Sequence, residues 1–281
     1  MLNTKQITVI ASVVVLMALL LSLDIKGLVK PKDQQATRDQ AQTGAATAST
    51  LTIANVSETA KQGLNANLAQ QITALENRLQ SASDAEKTGI EKQLARQWED
   101  VNQPAPAAFY YAAVAEKESN YANWLKAGDT FTEAYQDTQD TVAQPELVQK
   151  AINAYQKALS FNDKSLDART GLGSAYVSGT ANPMQGIQLL LEVVKEDPEN
   201  VKANMNLGLF SMRSGQFDKA VNRFKTVIKH QPSPESWFYL ASSYENLGMK
   251  KEAIDAYEQS KGLAADPGLS QFIDKKVKEL K

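Results

Sequence analysis

The sequence predicts an all-α protein whose C-terminal half consists of repeated helical hairpins. A pattern of small, apolar and proline residues in 200–234 recurs about 34 residues earlier and about 33 residues later. Small residues stand in both helices of each copy, where two backbones would approach each other. A proline follows the second helix in two of the copies, and it ends that helix because it lacks an amide hydrogen and clashes with the preceding turn.

The central copy, 200–234, shows why this spacing favours a hairpin. Gly208 in the first helix and Ala220 in the second are small enough for close contact, and Leu207 and Phe224 fill the space beside them. One such hairpin cannot bury its apolar face alone, so several must stack. The dipeptides typical of an N-cap followed by a first-turn proline lie at Asn182-Pro183, Ser233-Pro234 and Asp266-Pro267.

Three units at about 166–265 share this pattern, and a weaker unit precedes them with an insert around 136–147. The shared positions are Leu172, Gly173, Gly186, Leu190, Val193 and Pro198, then Leu207, Gly208, Ala220, Phe224, Val227 and Pro232, then Leu240, Ala241, Ala253 and Tyr257. The weaker unit has Trp124, Gly128, Phe131, Ala151, Tyr155 and Ala158.

This pattern resembles the tetratricopeptide repeat (TPR). The resemblance implies a TPR α-solenoid, a right-handed superhelix of helical hairpins, over 119–267. The final segment, 268–281, carries Phe272, Ile273, Val277 and Leu280 on one side of a helix. Because a terminal repeat needs a polar outer face, we expect this segment to be a capping helix.

The amino end predicts an N-terminal transmembrane helix. Residues 7–23 are uncharged, which is near the lower length limit for a membrane span. Within 1–30 we prefer an uncleaved anchor to a signal peptide, because no small-x-small cleavage site directly follows the apolar core. The count of flanking lysines mildly favours a cytoplasmic body, whereas the layout resembles that of bacterial single-pass proteins that face outward. We therefore expect a bacterial inner-membrane protein with a periplasmic body.

Residues 31–54 are rich in Ala, Thr, Gln and Ser, and they predict a disordered linker. Residues 55–118 predict amphipathic, coiled-coil-like helices. In 56–79 a narrow apolar stripe predicts one long amphipathic helix; its members are Val56, Ala60, Leu64, Leu68, Ile72, Leu75 and Leu79. Either this stripe joins two copies of the chain as a homo-oligomer, or it packs against the same chain. A new helix is predicted to start at Ser83, and another after Pro104 and Pro106.

The composition argues against several classes of function. Cysteine is absent, His230 is the only histidine, and the net charge is -2. A single imidazole without cysteine cannot build a zinc site, and a balanced charge does not favour nucleic-acid binding. With no nucleophile–base pair and no cofactor fingerprint, we predict neither an enzyme nor a metal or cofactor site.

The TPR resemblance implies a partner-binding groove along the first helix of each unit. Its residues would be Lys202, Met205, Leu209, Met212, Arg213, Phe238, Ser242 and Glu245, with Asp167, Thr170, Ser174, Val177 and Glu235 beside them. Met205 and Leu209 stand where a co-chaperone clamp would have lysine and asparagine, so that clamp is not expected. The apolar set instead favours an amphipathic or extended peptide, and Lys202 and Arg213 favour an acidic one. Alternatively, these residues pack against the chain's own helices.

These features together predict a membrane-tethered TPR scaffold or adaptor that binds a protein or peptide partner. The alternative is a structural subunit of an envelope assembly complex, cell-envelope or cytochrome c maturation-like, whose groove is permanently occupied.

Overall fold

The structure is a computed structural model that describes residues 51–180 and 183–281. In these two ranges the chain forms thirteen α-helices and no strand. The helices are α1 Ile53–Lys61, α2 Ala66–Ser81, α3 Asp84–Asp100, α4 Pro104–Lys117, α5 Tyr121–Asp137, α6 Ala143–Phe161, α7 Leu166–Gly179, α8 Pro183–Glu196, α9 Val201–Arg213, α10 Phe217–His230, α11 Pro234–Asn246, α12 Lys250–Leu263 and α13 Pro267–Leu280.

From α5 to α12 the helices form four hairpins, α5/α6, α7/α8, α9/α10 and α11/α12, and each hairpin packs on the next. In two of these hairpins, α7/α8 and α9/α10, the two helices approach each other at the small residues of the sequence pattern. A Cβ placed on Gly208 would stand 2.7 Å from the Phe224 ring, and one on Gly173 would stand 2.9 Å from Leu190. Such contacts are closer than a side chain tolerates, so these glycines set the spacing of the two helices. The predicted hairpins are confirmed.

Helix starts follow the predicted capping signals. Ser233 caps α11, where its hydroxyl accepts a hydrogen bond from the backbone N–H of Ser236, and Asp266 caps α13 by accepting bonds from the first turn. At α3 the Glu86 carboxylate accepts a bond of 3.2 Å from the Ser83 backbone N–H. These bonds satisfy amide groups that have no partner inside the helix. Asn182 and the predicted anchor at 7–23 lie outside the described residues.

The prediction of one long helix over 56–79 is wrong. The segment forms two helices, because α1 ends at Lys61 and α2 begins at Ala66. Gly63 lies between them, and the Asn65 side chain caps α2 by accepting a bond of 3.0 Å from the Leu68 N–H. Glycine and asparagine favour a turn over a continuous helix.

The apolar stripe of this segment packs against the same chain. Ile72 is fully buried in a cluster with Leu94 and Trp98 of α3, and Leu64, Leu75 and Leu79 pack against that cluster. Lys61 and Ser57 of α1 also bond to Glu76 of α2. Packing in cis is therefore what the structure shows, and dimerisation through 56–79 stays a prediction.

The predicted insert at 136–147 does not form a long loop. Its residues lengthen α5 and α6, which have 17 and 19 residues, and only 138–142 lie between the two helices. Asp140 stabilises the start of α6, since its carboxylate accepts a bond of 2.8 Å from the Val142 N–H.

The buried residues of this unit, 51–281, fall into four clusters along the stack. They span α2–α4, α4–α7, α8–α9 and α10–α13. The clusters beyond α4 cross from the second helix of one hairpin to the first helix of the next, which is how stacked hairpins bury their apolar faces. Among the described helices, none combines the length and the hydrophobicity that a membrane span needs.

Candidate functional site

The first helices of the four hairpins line an open groove with a volume of about 560 Å³. Each of α5, α7, α9 and α11 contributes one face to it. Its lining side chains include Asp129, Thr132, Glu133 and Gln136 of α5, Asp167, Thr170 and Ser174 of α7, Lys202, Met205, Asn206 and Leu209 of α9, and Glu235 and Tyr239 of α11.

The structure places part of the predicted site in this groove. Lys202, Met205 and Leu209 line it, together with the flanking residues Asp167, Thr170, Ser174 and Glu235. The remaining predicted residues do not line it; these are Met212, Arg213, Phe238, Ser242, Glu245 and the flanking Val177.

Two of those remaining residues contact the chain's own C-terminal helix. The Glu245 carboxylate accepts a hydrogen bond of 2.9 Å from Nζ of Lys276 on α13. The ring of Phe238 lies 5.9 Å from that of Phe272, measured between centroids. Here α13 packs where a further hairpin would otherwise pack. Phe238 and Glu245 of the predicted site therefore contact the chain's own C-terminal helix.

Tyr155 is a site residue that the sequence pattern placed only as a packing position. It lies on α6, yet its ring passes between the first helices of two hairpins. A Cβ placed on Gly128 of α5 would stand 2.8 Å from the ring, and one placed on Gly171 of α7 would overlap it. Two glycines on facing helices therefore open the passage through which the phenol reaches the groove.

The phenol of Tyr155 fixes an acidic side chain on the groove wall. Its hydroxyl donates a hydrogen bond of 2.8 Å to Oδ1 of Asp129 and lies 3.0 Å from the Thr132 hydroxyl. Burial raises the pKa of the Asp129 carboxyl, and the Tyr155 bond and Lys202 offset part of that rise. Burial also raises the pKa of the Tyr155 phenol well above its ordinary value, so the phenol remains a donor.

The groove has more acidic than basic side chains. Asp129, Glu133, Asp167 and Glu235 face it, against Lys202 alone. None of these five side chains forms an ion pair within the described ranges. The prediction of an acidic partner rested on Lys202 and Arg213. Of these two residues only Lys202 lines the groove.

The groove is lined by polar and apolar side chains. In the part of the chain that the structure describes, no three metal-ligating side chains stand together. Asn206 of α9 lies 2.9 Å from the Ser174 hydroxyl of α7, which ties the first helices of neighbouring hairpins together. Half-buried Met205 and Leu209 provide apolar surface beside these polar groups.

Comparison with known proteins supports the repeat assignment. Residues 211–270 match the family model described as "Tetratricopeptide repeat". No curated protein sequence matches the chain significantly. Many solved structures do match it.

A tetratricopeptide repeat protein from Parabacteroides merdae is 15% identical with a TM-score of 0.55, over 81% of this chain and 84% of its own. The Thermus thermophilus protein TTC0263, described as a thermophilic TPR protein, is 17% identical with a TM-score of 0.52, over 67% of this chain and 97% of its own. A MamA protein is 22% identical with a TM-score of 0.46, over 63% of this chain and 91% of its own.

The two structures with the higher TM-scores share the stacked-hairpin fold. The family match spans the end of α9, the whole of α10, α11 and α12, and the start of α13. Residues 211–270 therefore match the tetratricopeptide repeat family, and they lie within a stack of helical hairpins whose fold these two structures share.

Proposed function

We propose that the chain is a protein-interaction scaffold that binds a peptide or a helix of a partner protein in the groove along α5, α7, α9 and α11. The observation that carries this proposal is the groove itself, since four consecutive hairpins each contribute side chains to one groove with a volume of about 560 Å³. A cleft of this size accommodates a few side chains of a bound segment at a time.

The chemistry of the lining suits a polypeptide. Met205 and Leu209 are half-buried and offer apolar contact area, and methionine adapts its shape to irregular partners. Asn206 and Gln136 provide amide groups able to bond to a partner's backbone. Apolar anchors within a polar rim are typical of grooves that bind extended or helical segments.

We further propose that this scaffold is tethered to a bacterial inner membrane by 7–23 and that its body faces the periplasm. The support is the uncharged apolar run and the polar linker that follows it. An enzymatic reporter fused after Lys281 tests the orientation, and activity of that reporter only in the cytoplasm would refute the periplasmic placement.

The groove is tested by site-specific photocrosslinking in the full chain. A photoreactive phenylalanine analogue replaces Met205 in the groove or, as the control, Met184, which is 64% exposed on α8 and does not line the groove. We expect the partner to crosslink from position 205 and not from 184, with mass spectrometry mapping one recurring segment of the partner. Met184 is exposed, whereas Met205 is half-buried and packs against the last cluster, so circular dichroism checks that both variants fold.

A charge placed in the groove provides a second measurement. Leu209→Asp should abolish capture of the partner because it places a carboxylate in the apolar part of the groove, with circular dichroism as the check on folding. Equal crosslinking from 205 and 184, or undiminished capture by the folded Leu209→Asp variant, would exclude the groove as the binding site.

A further inference from the structure

We propose that the groove binds a basic segment, and that a lysine ammonium or arginine guanidinium of that segment docks on Asp129, with Glu133 and Asp167 in the same groove. The inference rests on the proposed function and adds the chemistry of the occupant. It assigns to the N-terminal half of the groove a role in selecting the charge of the partner.

The first support is an uncompensated acidic surface. Asp129 and Glu133 of α5 and Asp167 of α7 face the groove, and in the ranges that the structure covers none of them has a lysine or arginine nitrogen within ion-pair distance. Carboxylates gathered on one concave wall attract a cation, because their fields add in a cleft that limits solvent.

The second support is that one of these carboxylates is held in place. Tyr155 is only 1% exposed, and its hydroxyl donates to Asp129 at 2.8 Å. The ring cannot move freely because Gly128 and Gly171 contact it from both sides. A carboxylate that is oriented before binding loses little conformational freedom when a ligand arrives, which favours tight and selective contact.

The third support comes from a comparison inside the chain. Tyr257 occupies in the last hairpin the repeat position that Tyr155 occupies in the first, and it too donates to a carboxylate of its own hairpin, Glu245, at 2.7 Å. That carboxylate has a cationic partner, since Nζ of Lys276 lies 2.9 Å from it. A tyrosine at the same repeat position thus bonds to a carboxylate in both hairpins, although Asp129 directly follows Gly128 whereas Glu245 lies four residues after Ala241. The carboxylate in the last hairpin pairs with a lysine of α13, whereas Asp129 faces the groove with no cation paired to it among the described residues.

The electrostatics of the two carboxyls differ accordingly. Burial raises the pKa of the Asp129 carboxyl, and nearby Asp167 adds to that rise. Burial would also raise the pKa of Glu245, but the bonds from Lys276 and Tyr257 hold it below its ordinary value. An arriving cation would do for Asp129 what Lys276 does for Glu245.

The fourth support is an unsatisfied donor on the same wall. Thr170 of α7 lines the groove and is 3% exposed, and its hydroxyl has no hydrogen-bond partner in the structure's described part. Buried hydroxyls are nearly always bonded, so an unpaired one indicates a missing partner. Because Oγ1 of Thr170 is itself out of contact with solvent, a backbone carbonyl of a bound segment would reach it only after the Thr170 side chain rotates toward the groove.

A library of capped ten-residue peptides of random sequence tests the inference against the purified full chain. We expect the retained peptides to be enriched in lysine and arginine relative to the input. The double variant Asp129→Asn, Asp167→Asn should lose that enrichment. The matched control Asp255→Asn, on α12 and away from the groove, should keep it.

A double-mutant cycle on one retained peptide locates the contact. Asp129→Asn in the protein and lysine→glutamine in the peptide should each weaken binding by about tenfold, and the two together should weaken it little further, because both remove the same charge-assisted bond. Asparagine still accepts the Tyr155 bond, so the melting temperature of Asp129→Asn should not fall below that of the wild type.

The outcomes separate this inference from the proposed function. The retained peptides could show no enrichment in basic residues and yet fail to bind the Leu209→Asp variant. That outcome would overturn the inference and leave the groove as the binding site. Peptides that Leu209→Asp does not release, or no retained peptide at all, would overturn both. If the two substitutions in the double-mutant cycle weakened binding by additive amounts, Asp129 would not be the residue that contacts the basic side chain of the peptide.

Discussion

The spacing of the first two hairpins depends on residues that have no side chain. Gly128 and Gly171 flank the ring of Tyr155 from α5 and α7, and neither position has room for a methyl group. Their φ angles are helical, so their small size and not their backbone freedom makes them necessary. At these positions glycine weakens the isolated helix, and the packing of an aromatic ring offsets that loss.

We expect Gly171→Ala to destabilise the protein by about 1–3 kcal/mol, because the added methyl would overlap a buried ring with no free space to move into. Gly89→Ala is the matched control. Gly89 also lies inside a helix, α3, but nothing stands within 4 Å of its added Cβ, so this substitution should stabilise the protein by about 0.5–1 kcal/mol. Urea unfolding of both variants measures the difference, and equal effects would contradict the packing explanation.

Sequence reasoning at this scale succeeds where a residue acts within its own hairpin. Gly208 is predicted at the close approach of α9 and α10 with Phe224 beside it, and a Cβ placed on Gly208 would indeed stand 2.7 Å from the Phe224 ring. It misses Tyr155 and Asp129, because their contact depends on the distance between two hairpins, which the repeat spacing does not contain. Asp129 also lies in the weakest repeat, where the pattern gives the least reason to assign a groove position.

Capping signals place the starts of several helices correctly, but two predicted boundaries differ, since α4 begins at Pro104 and not after Pro106, and the helix predicted over 56–79 is divided. Ser233 and Asp266 cap their helices as predicted, whereas α1 and α2 are separated within a stripe that reads as continuous. The apolar positions keep their spacing of three and four across the break, so periodicity alone cannot reveal it. Gly63 and Asn65 carry the local signal for the turn.

The last helix, α13, packs on the last hairpin, and two of the four apolar residues on its predicted inner side are buried. Ile273 and Val277 pack against α10–α12, whereas Phe272 remains 47% exposed. A terminal repeat needs such a cover because its apolar face has no following hairpin. Pairing of Lys276 with Glu245 adds a polar contact at the edge of this interface.

Ile273→Ala should lower the free energy of unfolding by about 2–4 kcal/mol, since Ile273 is fully buried and its loss leaves a cavity under α13. Lys278→Ala, on the exposed side of the same helix, should change it by less than about 0.5 kcal/mol. Thermal unfolding followed by circular dichroism compares the two. If Ile273→Ala were as stable as Lys278→Ala, α13 would not be part of the core.

The unit 51–281 is a stack of helical hairpins whose buried residues form successive clusters. The cluster between α8 and α9 joins the second and third hairpins, and larger clusters lie before and after it. In a stack of this kind stability is roughly the sum of the repeats and of the interfaces between neighbours. Weakening the middle interface should therefore reduce cooperativity as well as stability.

Leu190→Ala tests this coupling, because Leu190 is fully buried in the middle cluster. We expect a loss of about 2–5 kcal/mol and separate hydrogen-exchange rates for 121–161 and 217–280, which should exchange together in the wild type. Its neighbour Leu191 is 46% exposed, so Leu191→Ala should leave the exchange pattern unchanged. Joint exchange of both halves in Leu190→Ala would contradict a stack held together at this interface.

The course of the Tyr155 ring through the stack limits how this surface can be redesigned. The phenol that orients Asp129 also fills the gap between two helices, so replacing Tyr155 to change the partner preference would disturb the packing of those helices at the same time. Glu133 and Asp167 also line the groove, but they are exposed and do not fill space between helices. An engineered inversion of charge is therefore best introduced at those two positions, with the tyrosine retained as part of the frame.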